Sequence, residues 1–485
     1  MKKVLVIVAV AAGFSLELQA QDAKAVIDTA ANTIGATSLR SIEYSGTGST
    51  YGFGQAIGPG QAWPRFTMTR YAAAINYLAP ALREEIVRVD DENPPRGGGA
   101  GPFNPATGQG GIRPIPFGPQ TQTRQLAPRT EGALIQLWMM TPHGFLKAAA
   151  ANSATVTTAS VRGRRVQTVS FALGRHTVTG TIDDQHLVER VETRLDNNVL
   201  GDMHVETTYA DYKDFAGVKF PTRIVLEQGG YPTLDVTVAG VQPNSAASAA
   251  LESLVSAPAG GGAPAPVKVE GKKLADGVWF LDGGAPMSYL VECADHLVMI
   301  EGPGNDARTE EAIREAKRLA PAKPIRYVVN THEHFDHAGG IRGVAAAGIT
   351  IITHQVNKPY FERIFKNPHT LSPDNLARSS RTAVIEAVGG SRVLSDGTNT
   401  IEIHHVRGNL HDPGLLMVYL PRHKMLIQAD AFAARPPDAR PLPGPSPFTV
   451  NLLENIERLK LDVQQILHLH GGVEPFANLV RAAGR

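Results

Sequence analysis

A cluster of three histidines and one aspartate constrains this chain more than any other feature. The segment THEHFDHAGG follows the apolar run IRYVVN and brings His332, His334, Asp336 and His337 within six positions. In an extended segment, residues two apart point the same way, so His332 and His334 share one face, and Asp336 and His337 begin a helix beside them. Such groups are costly to bury together unless they bind something. The spacing therefore predicts two adjacent metal positions at the end of a buried strand.

Length and composition describe a globular protein with more than one core. The chain has 485 residues, of which 42% are hydrophobic and 19% are charged. This length predicts two or three domains. The formal net charge of +1 provides no broad attraction to nucleic acid or to anionic lipid. We therefore expect a small-molecule substrate and no nucleic-acid partner.

The first twenty residues, MKKVLVIVAVAAGFSLELQA, have the pattern of a cleaved secretory signal. Lys2 and Lys3 precede an apolar run from Val4 to about Phe14, which is too short to span a bilayer. Residues 1–20 are therefore predicted to be a signal peptide, and no integral membrane segment is expected after cleavage. The predicted location is periplasmic or secreted. Because Cys293 is the single cysteine, no intrachain disulfide can form.

The next part of the chain, residues 21–242, is predicted to be a β-rich α+β domain. After a short amphipathic helix come runs that are rich in Thr and Val and alternate apolar with polar residues, such as RRVQTVSFAL and TLDVTVAGV. Their succession predicts an antiparallel meander. A Pro- and Gly-rich interval between Asn93 and Thr130 predicts a surface loop. No catalytic cluster is visible in this region.

An Ala-, Gly- and Pro-rich interval, residues 243–266, predicts a linker to a second domain that spans residues 267–485. Eleven of the sixteen histidines lie at or after His332, so the second domain holds most of the potential metal ligands. We expect a protease to cut the linker first and the fragment that begins near Val267 to keep its metals.

The pattern HxHxDH after a strand resembles the signature of the metallo-β-lactamase superfamily. The resemblance implies three further ligands, which this chain supplies in order. His411 stands in NLHDPG where the family has roughly GHTPG, and Leu410 and Asp412 depart from the usual glycine and threonine, which changes the loop but keeps the ligand. Asp430 stands in MLIQADAF, and His470 stands in ILHLHGG.

The resemblance also implies a fold, an αββα sandwich from residue 267 to the end. The fold class of the whole chain is thus α/β, with a C-terminal sandwich preceded by the β-rich domain. Neutral imidazoles and carboxylates suit zinc, and three protein ligands per metal leave room for water. We assign two Zn²⁺ ions per chain, with Asp430 as the bridge between them. The first ion is assigned to His332, His334 and His411, and the second to Asp336, His337 and His470.

The chemistry implied by this site is hydrolysis by a hydroxide that bridges the two metals. Asp336 is the candidate catalytic residue, because besides being a ligand it could orient the hydroxide and pass a proton. Metallo-β-lactamases proper generally have cysteine or serine at position 430, whereas thioesterases, lactonases and phosphotriesterases of the superfamily have a bridging aspartate. The predicted function is therefore an exported zinc hydrolase that cleaves an ester-like bond in a carboxylic ester, lactone or thioester.

Three alternatives remain open at this stage. Hydrolysis of β-lactams is possible on the same site but less favoured. Iron members of the superfamily are a second alternative, although flavodiiron proteins carry glutamate where this chain has His334, and persulfide dioxygenases use a single iron. In the third alternative the chain is a non-enzymatic envelope binding protein with a vestigial metal domain. The complete ligand set argues against that reading.

Overall fold

The computed structural model describes residues 23–98, 118–161, 164–256, 267–433 and 444–485. The predicted signal peptide, residues 1–20, lies outside the described residues. So do residues 99–117 of the predicted surface loop and residues 257–266 of the predicted linker. Among the described residues, no helix is both long enough and apolar enough to cross a membrane.

The N-terminal region is built on one sheet of eleven antiparallel strands. In several of these strands buried side chains alternate with more exposed ones, and neighbouring strands pair antiparallel, which confirms the predicted meander of a β-rich domain. The strands are β1 (Ser41–Tyr51), β2 (Arg65–Asn76), β3 (Ala81–Val89), β4 (Gln120–Leu126), β5 (Thr155–Val161), β6 (Arg164–Leu173), β7 (His176–Ile182), β8 (Val188–Asn197), β9 (Gly201–Phe215), β10 (Val218–Gln228) and β11 (Tyr231–Pro243).

Two meanders meet in the middle of this sheet. The spatial order is β4-β3-β2-β1-β11-β10-β9-β8-β7-β6-β5, so the last strand returns to pair with the first. Helices α1 (Ala23–Thr33) and α2 (Glu131–Trp138) both pack against α3 (Pro142–Ala151), and α2 and α3 also contact β6 to β8. Thr130 and Thr141 cap α2 and α3 by accepting hydrogen bonds from backbone N–H groups of the first helical turns.

The start of the predicted linker is folded. Helices α4 (Ala246–Ala249) and α5 (Glu252–Ser256) follow β11, and they pack on β1, β2 and β3. Leu251 is buried between them against Ala74 and Ala81. These residues therefore extend the N-terminal unit.

The C-terminal region contains two sheets. The seven-stranded sheet has its strands in chain order, namely β12 (Glu270–Ala275), β13 (Val278–Asp282), β14 (Ser288–Glu292), β15 (Leu297–Ile300), β16 (Ile325–Val329), β17 (Thr350–His354) and β18 (Ile385–Val388). The six-stranded sheet, also in chain order, has β19 (Ser391–Ser395), β20 (Thr400–His405), β21 (Leu416–Leu420), β22 (Met425–Gln428), β23 (Gln465–His468) and β24 (Val473–Pro475).

Short, apolar strands allow the first of these sheets to be covered on both faces. Alternate residues of β15 point to opposite sides, so that Val298 and Ile300 join the core between the two sheets, while Leu297 and Met299 join the core under the helices. On the face of the first sheet that carries Leu297 and Met299, the covering helices are α6 (Asp306–Leu319) and α8 (Ile341–Ala346). The second sheet is covered by α10 (Pro447–Leu459) and α11 (Phe476–Ala482). This region also contains the short helices α7 (Phe335–Ala338) and α9 (Lys358–Ile364). The result is the predicted αββα sandwich.

The N-terminal sheet and the sandwich share one apolar core. Phe53 and Trp63 of the N-terminal region pack edge to face on Phe335, with ring centroids 5.4 and 5.5 Å apart. The cluster of buried side chains that contains these rings continues under the N-terminal helices and under α6 and α8. The two regions are thus joined by packed side chains as well as by the chain itself.

Candidate metal centre

The candidate ligands lie on loops at one edge of the two sheets. The segment with His332 and His334 leaves the C-terminal end of β16, and α7 begins at Phe335, so Asp336 and His337 occupy its first turn. His411 lies in the loop between β20 and β21. The backbone N–H of Leu416 donates to the carbonyl of Thr331 at 2.9 Å, which fixes one sheet edge against the other.

Strand register accounts for the position of the remaining two ligands. Strands β22 and β23 are parallel, and Gln428 pairs with His468. Asp430 and His470 each lie two residues beyond this pair, so they leave the sheet side by side. Asp430 has a backbone φ of +57°, which is rare for a non-glycine residue and turns its carboxylate at the end of the strand.

The first group contains His332, His334, His411 and Asp430, and every donor lies within 4.8 Å of the others. Nε2 of His411 is 3.2 Å from Nε2 of His332. Oδ2 of Asp430 is 3.3 Å from the His332 nitrogen and 3.2 Å from the His411 nitrogen.

The second group contains Asp336, His337, Asp430 and His470. Nε2 of His337 is 2.9 Å from Nε2 of His470 and 2.8 Å from Oδ2 of Asp430. The other Asp430 oxygen, Oδ1, is 3.1 Å from His470. Oδ2 of Asp336 is 3.3 Å from Nε2 of His470 and 3.6 Å from Nε2 of His337. Asp430 is thus the residue that the two groups share.

These residues fit zinc. Atoms bound at about 2.0 to 2.1 Å to one tetrahedral ion lie about 3.3 Å from one another, and the spacings within each group are close to this value. Imidazole nitrogens and carboxylate oxygens are also the ligand types that zinc accepts. Nδ1 of His334 is buried with no hydrogen-bond partner among the described residues, as expected for an atom that binds a cation.

The protonation of the two groups differs. Burial, together with nearby imidazoles, lowers the pKa of His332 to about 3 and that of His334 well below its usual value, so both rings are neutral at pH 7. Burial also acts to lower the pKa of His337 and His470, but the carboxylates of Asp336 and Asp430 outweigh it and raise both. A metal in the second group would therefore displace protons.

Hydrogen bonds select the nitrogen that each ligand presents. The buried carboxylate of Glu301 accepts from the Thr331 hydroxyl at 2.5 Å and from Nδ1 of His337 at 2.9 Å. Because Thr331 has a single hydroxyl proton, Nδ1 of His332, at 3.1 Å, must be the donor to its oxygen. Nε2 therefore faces the site in both His332 and His337. Glu301 itself has a φ of +75°.

A loop of the N-terminal region completes this set of supporting bonds. The backbone carbonyl of Ala56 lies 2.8 Å from Nε2 of His334, and since a carbonyl can only accept, this nitrogen carries the proton. The lone pair of His334 is then on Nδ1. Nε2 of Gln55 donates to Oδ1 of Asp336 at 2.9 Å, and the backbone N–H of Phe335 donates to the carbonyl of Gly54 at 3.0 Å.

The structure brings together all seven residues predicted as ligands, in the same division into two groups. Metal binding by them stays a prediction, as does the catalytic role of Asp336. His468 is buried beside Phe432 and Gln428 and belongs to neither group. His405 lies against His354 with ring centroids 4.0 Å apart and an angle of 35° between the rings, and neither histidine belongs to either group.

Three contributors to the site escaped the sequence analysis. Glu301 could have been found, because a carboxylate directly after the apolar run LVMI and before GPG is unusual for a buried strand end. Gln55 and Ala56 lie in the segment YGFGQAIGPG. Its four glycines indicate that the backbone closely approaches another part of the protein, but they do not identify that part. The seven candidate ligands all lie after Val267, as predicted, but Gln55 and Ala56 of the N-terminal region bond to two of them.

Comparisons with known proteins found one matching family model and a set of similar solved structures. The family model of the metallo-beta-lactamase superfamily matches residues 281–466. Similar solved structures include a metallo-beta-lactamase from Pontibacter korlensis, with 18% identity over 45% of this chain and 98% of that chain and a TM-score of 0.34. Another is the metallo-beta-lactamase FIM-1 from Pseudomonas aeruginosa in its mono-zinc form, with 19% identity over 46% of this chain and 96% of that chain and a TM-score of 0.34. No curated protein sequence matches.

The matched interval contains the HxHxDH segment, His411 and Asp430, and His470 follows four residues after it. Members of this superfamily are usually hydrolases that bind metal ions. Within the C-terminal part of this chain, residues 281–466 thus match the model of the metallo-beta-lactamase superfamily, and six of the seven candidate ligands lie inside the matched interval.

Proposed function

We propose that this protein is a zinc-dependent hydrolase that cleaves an ester-like bond in a small carboxylic ester, lactone or thioester. The observation that carries the proposal is the position of Asp430. Its Oδ2 lies within 3.3 Å of imidazole nitrogens from both ligand groups. An aspartate shared in this way suits a pair of metal ions, and a carboxylate bridge is the feature of the ester-cleaving branch of the superfamily.

Two zinc ions, when bound, supply Lewis acids that activate water and polarise a carbonyl. One ion would be held by His332, His334 and His411. The other ion would be held by Asp336, His337 and His470. Asp430 would contact both ions. Asp336 is the candidate for moving a proton. Its Oδ1 accepts the hydrogen bond from Gln55 and keeps a second lone pair, while Oδ2 faces His470 and His337.

Burial defines the side from which a substrate would approach. The side chain of His470 is 20% exposed, whereas each of the other six candidate ligands is at most 3% exposed. The scissile bond would therefore enter past His470 and the two glycines that follow it. Exclusion of water from the rest of the site strengthens the electrostatic interactions there.

Export to the periplasm or to the medium is part of the proposal and depends on residues 1–20. Hydrolysis of β-lactams is the alternative on the same site. A substrate panel of p-nitrophenyl esters, lactones, thioesters and β-lactams separates the two. Turnover confined to β-lactams would reverse the preference.

The decisive variants are Asp430→Ala and His470→Ala. We expect wild type, purified without chelator, to contain two zinc ions per chain by elemental analysis. Asp430→Ala should lose both, because it removes the shared ligand, and His470→Ala should chiefly lose the second. Turnover should fall roughly 100-fold or more in each. His186→Asn, at an exposed turn with a φ of +60° that asparagine tolerates, is the matched control.

Two results would contradict the proposal. One iron per chain in wild type would favour an oxygen-dependent reaction instead of hydrolysis. Undiminished turnover in Asp430→Ala would remove the shared metal pair from the mechanism.

A further inference from the structure

A loop of the N-terminal sheet, residues 52–64 between β1 and β2, reaches the candidate metal centre. Three consecutive residues of this loop, Gly54, Gln55 and Ala56, contact Phe335, Asp336 and His334 respectively. Two of these contacts involve backbone carbonyls of the loop. The third uses a side chain, the amide of Gln55, and this contact is therefore the one that a substitution can remove.

We propose that Gln55 is a positioning residue of the metal centre, which holds Asp336 in the orientation needed to bind the second metal. The inference rests on the proposed metal centre. The χ2 torsion of an aspartate has a broad preference, so either carboxylate oxygen can face the metal position. The Gln55 amide takes Oδ1 at 2.9 Å, and Oδ2 is then directed to His470 and His337.

Burial makes this hydrogen bond effective. Gln55 is 2% exposed and Asp336 is 3% exposed, so water does not compete for the carboxylate. Hydrogen bonds that involve an ionised partner are the stronger class. A donor from an amide, rather than from lysine or arginine, orients the carboxylate without cancelling the negative charge that a cation requires.

The loop is held firmly enough to act as a rigid support. Phe53 packs between Trp63 and Phe335, with ring centroids 5.3 and 5.4 Å away, and Nε1 of Trp63 donates to the carbonyl of Gln228. Gly54 has a φ of +80°, and a Cβ at this position would lie 2.8 Å from the ring of Phe335. Only glycine allows the loop to lie this close to α7.

The test uses full-length protein and Gln55→Met, which keeps the length of the side chain and removes the donor. Gln61→Met, an exposed glutamine of the same loop, is the matched control. Gln55→Glu is a second variant, which adds a carboxylate beside Asp336. The zinc affinity of each site is measured by competition with a chromophoric chelator. The absorption spectrum of the cobalt(II)-loaded protein reports the coordination of the second site.

We expect Gln55→Met to bind the first zinc as wild type does and the second roughly 10- to 100-fold more weakly, with an altered cobalt spectrum. In Gln55→Glu the affinity of the second site for zinc should fall at least as much, and Gln61→Met should bind zinc as wild type does.

Unchanged affinity and spectrum in Gln55→Met would overturn the inference. So would equal weakening of both sites together with a lower melting temperature, because that pattern describes a general structural role. Wild type that binds fewer than two metals overturns it as well, together with the metal centre. In a further outcome, wild type binds two metals and Gln55→Met binds the second more weakly, but wild type hydrolyses nothing in the substrate panel. This outcome supports the positioning role and contradicts only the proposed hydrolysis.

Discussion

The two regions of this molecule contribute to one site in different chemical forms. The C-terminal sandwich supplies imidazoles and carboxylates from loops at the ends of short buried strands. The N-terminal sheet supplies two carbonyls and one neutral amide from a glycine-rich loop. A region without a catalytic motif thus makes hydrogen bonds that select which atoms of His334 and Asp336 face the candidate metal centre. Domain boundaries drawn from motifs alone therefore divide this site.

The strongest challenge to this comparison is the isolated fragment 267–485. It retains all seven candidate ligands but lacks Gln55, Ala56 and the rings that cover Phe335. The sequence alone predicts that this fragment keeps its metals. The contacts from Gln55 and Ala56 instead predict that its zinc affinity, measured by chelator competition, is lower than that of the whole chain by roughly 100-fold or more. Protein cut between residues 257 and 266, but with its halves left associated, is the control and should resemble the intact chain. A fragment that binds two metals as tightly as the full chain would show that the regions are independent.

A smaller effect is expected from weakening the aromatic contact between the regions. Phe53→Ala removes a fully buried ring at the junction, and it should lower the free energy of unfolding by about 3 to 5 kcal/mol in urea denaturation. It should also reduce zinc affinity, because the ring supports the loop that carries Gln55. Phe145→Ala makes the same change on the buried side of α3, and it should lower the free energy of unfolding without changing the affinity for zinc. Equal zinc losses in both variants would contradict the coupling.

The smallest effect concerns a second contact between the regions, where the carboxylate of Asp202 on β9 accepts from the backbone N–H groups of Thr370 and Leu371 at 2.9 and 3.0 Å. Burial acts to raise the pKa of Asp202, but these bonds and the Thr370 hydroxyl outweigh it and lower the pKa. The ionised form is therefore stabilised by folding. Its contribution is present above the ordinary pKa of aspartate, and it is lost as the pH falls through the lowered value.

Asp202→Asn should accordingly lower the free energy of unfolding by about 1 kcal/mol at pH 7, and the difference from wild type should shrink as the pH falls below about 4. Asp235→Asn, whose partner Arg223 lies in the same sheet, should change stability by only a few tenths of a kcal/mol. Denaturation curves at several pH values provide the measurement. A difference that stays constant with pH would exclude the carboxylate as its origin.

Sequence reasoning succeeded where residue type determines both structure and chemistry. Imidazoles two residues apart after an apolar strand predict a cluster of candidate ligands, which the structure brings together, and alternating Thr and Val runs predict antiparallel strands. It could not find the carbonyl of Ala56, because every residue has a carbonyl and only the path of the loop brings this one to His334. Gln55 lies 281 residues before its partner, and no local pattern records that distance. Position in space, rather than chemistry, was the missing information.

The distance along the chain between Ala56 and His334 also has a consequence for biosynthesis. The two residues are separated by 278 positions, so the loop is synthesised long before the helix that it contacts. At a translation rate of about 5 to 20 residues per second, the delay amounts to roughly 14 to 56 seconds. During that interval the rings of Phe53 and Trp63 have no Phe335 to cover them, and the nascent sheet exposes an apolar surface that a chaperone could recognise.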